Sequence, residues 1–73
     1  MNIENNVKLQ NDRSVLIDGV KSQYTWRKFN GQMEMWDAEG VHRVSNTCIE
    51  VFCRKILDFH RKIGEFEAPK ISV

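Results

Sequence analysis

The two cysteines and two histidines are the residues of this sequence with the widest chemical reach, and their spacing limits what they can do. Cys48 and Cys53 stand five positions apart, His60 follows Cys53 by seven, and His42 lies upstream. A protein zinc site needs three or four such groups converging on one point. On a helix, a seven-residue step is two turns or about 10 Å, too far for one ion to join Cys53 to His60. A five-residue step turns the two thiols about 140° apart, which argues against a disulfide. Cys–His nucleophilic catalysis is the remaining combination, and a thiol set in an apolar stripe is usually inert. The four glycines are isolated and form no phosphate-binding loop. The chain therefore reads as non-enzymatic, with no metal and no cofactor.

What remains is contact chemistry. Arginine, tyrosine and tryptophan are the residues on which interfaces concentrate their energy. They recur here as Tyr24-Thr25-Trp26-Arg27-Lys28-Phe29 and again around Trp36 and Arg43. The question is which of them share a surface, and secondary-structure periodicity answers it.

Asp18-Gly19 and Asn30-Gly31 are strong signals for tight hairpin turns, whose central residues both need positive φ. β-favouring runs flank them: Val15 to Ile17, Tyr24 to Phe29, and Gln32 to Trp36. A third turn at Asp37-Ala38-Glu39-Gly40 returns the chain to Val41 through Val44. Two-residue turns fix the register, setting Phe29 opposite Gln32, Arg27 opposite Glu34 and Trp26 opposite Met35. One face then collects Val15, Ile17, Val20, Tyr24, Trp26, Met33, Met35 and Val44 as the core. The other carries Leu16, Lys21, Gln23, Thr25, Arg27, Phe29, Gln32, Glu34, Trp36, Val41 and Arg43. A third turn one residue longer or shorter would turn Val41 and Arg43 away from that second face.

Ser45-Asn46-Thr47 offers helix caps, with Glu50 placed to complete a capping box on Thr47. Ile49, Phe52, Cys53, Ile56, Phe59, His60 and Ile63 form one apolar stripe running to about Gly64, while Val51 and Leu57 point partly outward. Opposite the stripe, Glu50, Arg54, Asp58 and Lys62, with Arg61 and Glu65, form a ladder of alternating sign that should pair with itself. Arg54 and Arg61 are secondary contact candidates on this helix face.

The sequence thus predicts an α+β fold, an antiparallel three- to four-stranded β meander followed by one C-terminal amphipathic helix packed on one sheet face. Residues 7–66 form the domain, between a flexible N-terminal tail at 1–6 and a C-terminal tail at 67–73. At 73 residues there is room for one domain only. No apolar run approaches the roughly 20 residues of a membrane span, so a cytoplasmic protein with no membrane contact is expected.

The string from Tyr24 to Phe29 followed by Gly31-Gln32 looks like the heptapeptide core of plant WRKY DNA-binding domains. The likeness covers about eight residues, and the closing His pair among that family's zinc ligands has no counterpart here. The meander with its C-terminal helix is similar in architecture to AP2-type plant domains and to the arm-binding domains of phage integrases. That likeness implies a sheet face laid in the major groove of DNA, with Lys21, Thr25, Arg27, Gln32, Trp36 and Arg43 facing the duplex. Eleven basic against ten acidic residues give a net charge of +1, without the basic excess such binding favours.

The expectation is therefore a small regulator or inhibitor of the kind phages and mobile elements encode. It binds a partner protein through the sheet face opposite the helix, using Lys21, Thr25, Arg27, Phe29, Gln32, Trp36 and Arg43. Sequence-specific DNA binding by the same face is the alternative. Homodimers through a free edge strand, Val7 to Gln10 or Val41 to Val44, are a further arrangement the pattern allows.

Overall fold

The computed structural model describes the backbone of residues 6–71 and the side chains of residues 6–63. Five antiparallel strands follow one another in space as in sequence: β1 (Val7–Leu9), β2 (Ser14–Ile17), β3 (Val20–Phe29), β4 (Gln32–Trp36) and β5 (His42–Asn46). A single helix, α1 (Ile49–Ile71), closes the chain. The meander has one strand more than the three to four expected from sequence. The additional strand is β1, within the Val7 to Gln10 segment expected as an edge strand, with Val7 paired to Ile17 and Leu9 to Val15.

Both dipeptide turns form as their chemistry requires. Asp18 and Gly19 take φ of 54° and 80°, and Asn30 and Gly31 take 53° and 74°. The short second turn locks β3 to β4 with Phe29 against Gln32, Arg27 against Glu34 and Trp26 against Met35. The β1–β2 turn carried no comparable signal, because its positive-φ position is filled by Arg13 at 76°. Asp12 holds that turn by accepting from both the backbone N–H and the hydroxyl of Ser14.

The core is Val7, Val15, Ile17, Tyr24, Met33, Met35 and Val44 from the sheet, with Phe52, Cys53, Ile56 and Leu57 from α1. Tyr24 adds a polar tie, its hydroxyl lying 3.1 Å from His60 Nδ1. The core departs from the expected faces at Val20, Leu57 and Ile49, and His60 of the expected stripe is exposed. Val20 is 68% exposed. It pairs with Ile17, but β4 reaches along β3 only as far as Thr25, so Val20 has no strand on its other side. Leu57, expected to point partly outward, is 5% exposed, whereas Ile49, expected within the stripe, is 53% exposed. The buried face of the helix is rotated toward Leu57 relative to the simple stripe.

The Cys48 carbonyl accepts the first helical bond, from Phe52 N–H at 2.8 Å, and Asn46 Oδ1 accepts from the Cys48 N–H just before the helix at 2.8 Å, in place of the expected Thr47 cap. The helix continues through Gly64 to Ile71, so residues 67–71, expected as tail, extend it. At the other end Asn6 is tied down, its carbonyl accepting from Asp18 N–H at 2.7 Å. The remaining tail assignments, 1–5 and 72–73, lie outside the described residues. Helix α1 lies against β5, β4 and β1, so both edge strands of the sheet approach the same helix.

Candidate functional site

Strand β3 is the longest in the sheet, and its outer part runs past the end of β2. The last β2 pairing is Ser14 with Thr25, and one further bond, Trp26 N–H to Arg13 carbonyl at 3.0 Å, ends the contact. From Arg27 to the Asn30-Gly31 turn, β3 is held by β4 alone. The two strands therefore extend as a hairpin arm beyond the first half of the sheet.

Arg27 is central on the open face of this arm. Its Nε donates to Glu34 Oε1 across the strand pair at 2.9 Å. Its guanidinium carbon lies 4.8 Å from the centre of the Trp36 ring and 5.8 Å from that of Phe29. The cation is thus fixed by one carboxylate and two aromatic rings, which leaves it little freedom to lose on binding. Phe29 is 57% exposed at the arm's end. Thr25 pairs directly with Trp36, and Gln32 with Phe29. Thr25, Arg27, Phe29, Gln32 and Trp36 are therefore one continuous patch, as the register predicts.

The other sequence candidates do not all join it. Lys21 occupies the opposite end of β3, exposed and paired with Leu16. Arg43 leaves the face altogether. The β4–β5 ladder slips between Met35 and Trp36, so that Met35 pairs with Val44 while Trp36 pairs with His42. The extra residue is Arg43, whose guanidinium lies 5.8 Å from the Phe59 ring of α1 and whose Nε donates to Asp37 Oδ2 at 2.7 Å. A β-bulge of this kind re-aims one side chain without changing composition.

His42 takes the vacated place, stacked on Trp36 with ring centres 5.2 Å apart. The indole is thus flanked by Arg27 and His42, and its Nε1–H is buried with no hydrogen-bond partner among the described residues. The second tryptophan is satisfied: Trp26 Nε1 donates to the Gln10 carbonyl at 2.8 Å, beneath the Arg13 guanidinium.

Asp37 organises the β4–β5 turn. Its Oδ1 accepts from the backbone N–H groups of Glu39 and Val41, and its Oδ2 from Arg43. The Val41 amide, then the Arg43 guanidinium, hold the Asp37 carboxyl below the usual aspartate range. Asp12 is lowered as well, first by the Ser14 hydroxyl and then by the Ser14 amide.

An open groove of about 690 Å³ runs along this region, lined by Arg13, Thr25, Trp26, Arg27, Lys28, Phe29, Trp36 and Gly40. Arg13 and Lys28 were not singled out from sequence. The unexpected turn brings Arg13 over Trp26, and Lys28 belongs by alternation to the core face, although it is exposed because the arm outruns the core.

The secondary candidates Arg54 and Arg61 are exposed on α1, away from this patch. Among the described side chains the ion pairs are Arg27–Glu34 and Arg43–Asp37, so the expected pairing along the helix from Glu50 to Lys62 does not form. Cys48 is exposed just before the helix and Cys53 is buried within it. Among the described residues, no helix is long and apolar enough to cross a membrane. No family model matches the sequence, and neither the curated proteins nor the solved structures contain a match to it.

Proposed function

We propose that this protein is a non-enzymatic interaction module that regulates or inhibits a partner protein by binding it through the open face of the β3–β4 arm. The observation that carries this reading is the fixed Arg27, held between Phe29, Trp36 and Glu34 beside an exposed phenylalanine. Arginine and aromatic anchors whose geometry is set before binding are what concentrated interface energy requires.

Duplex DNA on the same face is the competing reading. Lys21, Thr25, Arg27 and Gln32 favour it, since they supply phosphate and base-edge donors. The Arg27–Glu34 bond weighs against it, because a carboxylate beside the central cation repels phosphate.

A photo-crosslinking amino acid placed at Phe29, and separately at Asp58 on the outer helix face, separates these readings. The protein-binding reading expects one identifiable protein to crosslink from Phe29 and not from Asp58. Equal crosslinking from both positions overturns the assigned face. Tight, salt-sensitive binding to mixed-sequence duplex DNA at low ionic strength would replace the protein reading with the nucleic-acid one.

A further inference from the structure

In a two-residue hairpin the pair flanking the turn is hydrogen-bonded, and bonded pairs then alternate along the ladder. Phe29–Gln32, Arg27–Glu34 and Thr25–Trp36 are accordingly the pairs whose backbone groups face β4. The N–H and C=O of Trp26 and Lys28 face the β2 side. Trp26 confirms this parity by donating to the Arg13 carbonyl at 3.0 Å. At Lys28 there is no β2 left to pair with, and the residue is exposed. Among the described residues its N–H and C=O have no partner strand, in a sheet whose terminal strands, β1 and β5, both lie against α1.

The surroundings of this edge are net basic: Arg27 is paired with Glu34, while Arg13 and Lys28 form no ion pair among the described side chains. The groove beside it is lined by Arg13, Arg27 and Lys28 and by no aspartate or glutamate, with Trp26 and Phe29 supplying apolar walls. We propose that the outer edge of β3 at Lys28 accepts an extended acidic segment of the partner protein as an added strand. The Lys28 backbone pairs with that segment, and Arg13 and Lys28, the cations not held by a carboxylate, meet its acidic side chains. Main-chain bonds at a sheet edge favour an extended chain, and alternation along that chain sends its carboxylates and apolar side chains to opposite sides. A single-stranded nucleic acid would satisfy the cations and rings but offers no amide ladder to the Lys28 backbone.

This inference rests on the partner-binding reading above and fails separately from it. The probe is a fluorescein-labelled octapeptide of alternating glutamate and valine, followed by anisotropy at low ionic strength. An alternating lysine–valine octapeptide and an octathymidylate serve as comparisons. Lys28→Pro deletes the outward N–H without touching a β3–β4 bond, a substitution that strand edges tolerate. It should weaken the glutamate peptide about tenfold, and Lys28→Ala about threefold or less. Lys28→Glu should shift preference toward the lysine peptide. In the unmutated protein, the peptide should slow amide exchange at Lys28 and leave Arg27, already bonded to β4, unchanged.

Equal affinity in Lys28→Pro and the unmutated protein overturns the proposal, as does unchanged exchange at Lys28. Tighter binding of octathymidylate than of the glutamate peptide overturns it in favour of nucleic acid. If Lys28→Pro does not fold, the charge reversal in Lys28→Glu and the exchange measurement decide. Crosslinking from Phe29 that survives in Lys28→Pro would leave the open-face reading standing while the added strand fails.

Discussion

The Arg27 guanidinium sits 4.8 Å from the centre of the Trp36 ring, on a tryptophan whose own N–H is buried without a partner. The side chain that gives the patch its shape therefore carries an uncompensated polar group. An unsatisfied buried donor costs about 1–3 kcal/mol. The patch retains the indole at some expense in stability.

That cost distinguishes the two tryptophans. Trp36→Phe removes the orphaned N–H and keeps a ring between Arg27 and His42, so unfolding free energy should stay within about 1 kcal/mol of the original. Trp26→Phe loses a real bond to the Gln10 carbonyl and part of the Arg13 stack. It should cost about 1–3 kcal/mol. Urea unfolding of the two variants checks this. A Trp36→Phe loss as large as that of Trp26→Phe would mean that the Trp36 N–H is satisfied in solution.

The Asn30-Gly31 turn tests the arm itself. Nothing lies within 4 Å of the site where a Gly31 β-carbon would stand, so a substitution there acts through φ of 74° alone. Gly31→Ala should destabilise by about 1–2 kcal/mol. The amide shifts of Arg27 to Glu34 should move while those of β1 stay fixed, which heteronuclear NMR would show.

Helix phase is tested by two truncations. Leu57→Ala empties a buried site and should cost about 2–5 kcal/mol. Ile49→Ala alters a half-exposed side chain and should cost under about 1 kcal/mol. The simple apolar stripe predicts the reverse order, so thermal melts of the pair decide which face is buried.

The Asp37 turn sets an acid dependence. Its carboxyl is depressed in the folded state by the Val41 amide and Arg43. The stabilisation it gives is present above the unfolded carboxyl value of about 3.9 and is lost as pH falls through the lower folded value. Asp37→Asn keeps an acceptor for Glu39 and Val41 but loses the charge facing Arg43. The drop in urea midpoint between neutral pH and pH 3 should be smaller in this variant. Identical drops would show that Asp37 does not contribute, and Asp12 leaves a residual dependence in both.

Much of the architecture was legible because two turns carried unambiguous chemistry. Asp18-Gly19 and Asn30-Gly31 fix the register, and the register alone sets Arg27, Phe29 and Trp36 on one face. The first turn was not legible, since an arginine at positive φ carries no sequence signal, and with it went Arg13 and the groove. Val20 was misplaced because alternation describes one strand and burial needs neighbours on both sides. Leu57 and Ile49 exchanged roles because the stripe left the phase of the helix open by one residue. Arg43 depended on the single element whose length sequence could not settle, the bulge after Met35.

That bulge makes chain length a determinant of surface chemistry. Deleting one residue between Asp37 and Val41 would let Arg43 stand opposite Trp36 and release His42 into the turn. The patch would then exchange an imidazole for a second guanidinium with no amino acid in β3, β4 or β5 altered. A one-codon deletion there would therefore change the charge beside Trp36, on the face proposed to bind, while leaving every strand residue in place.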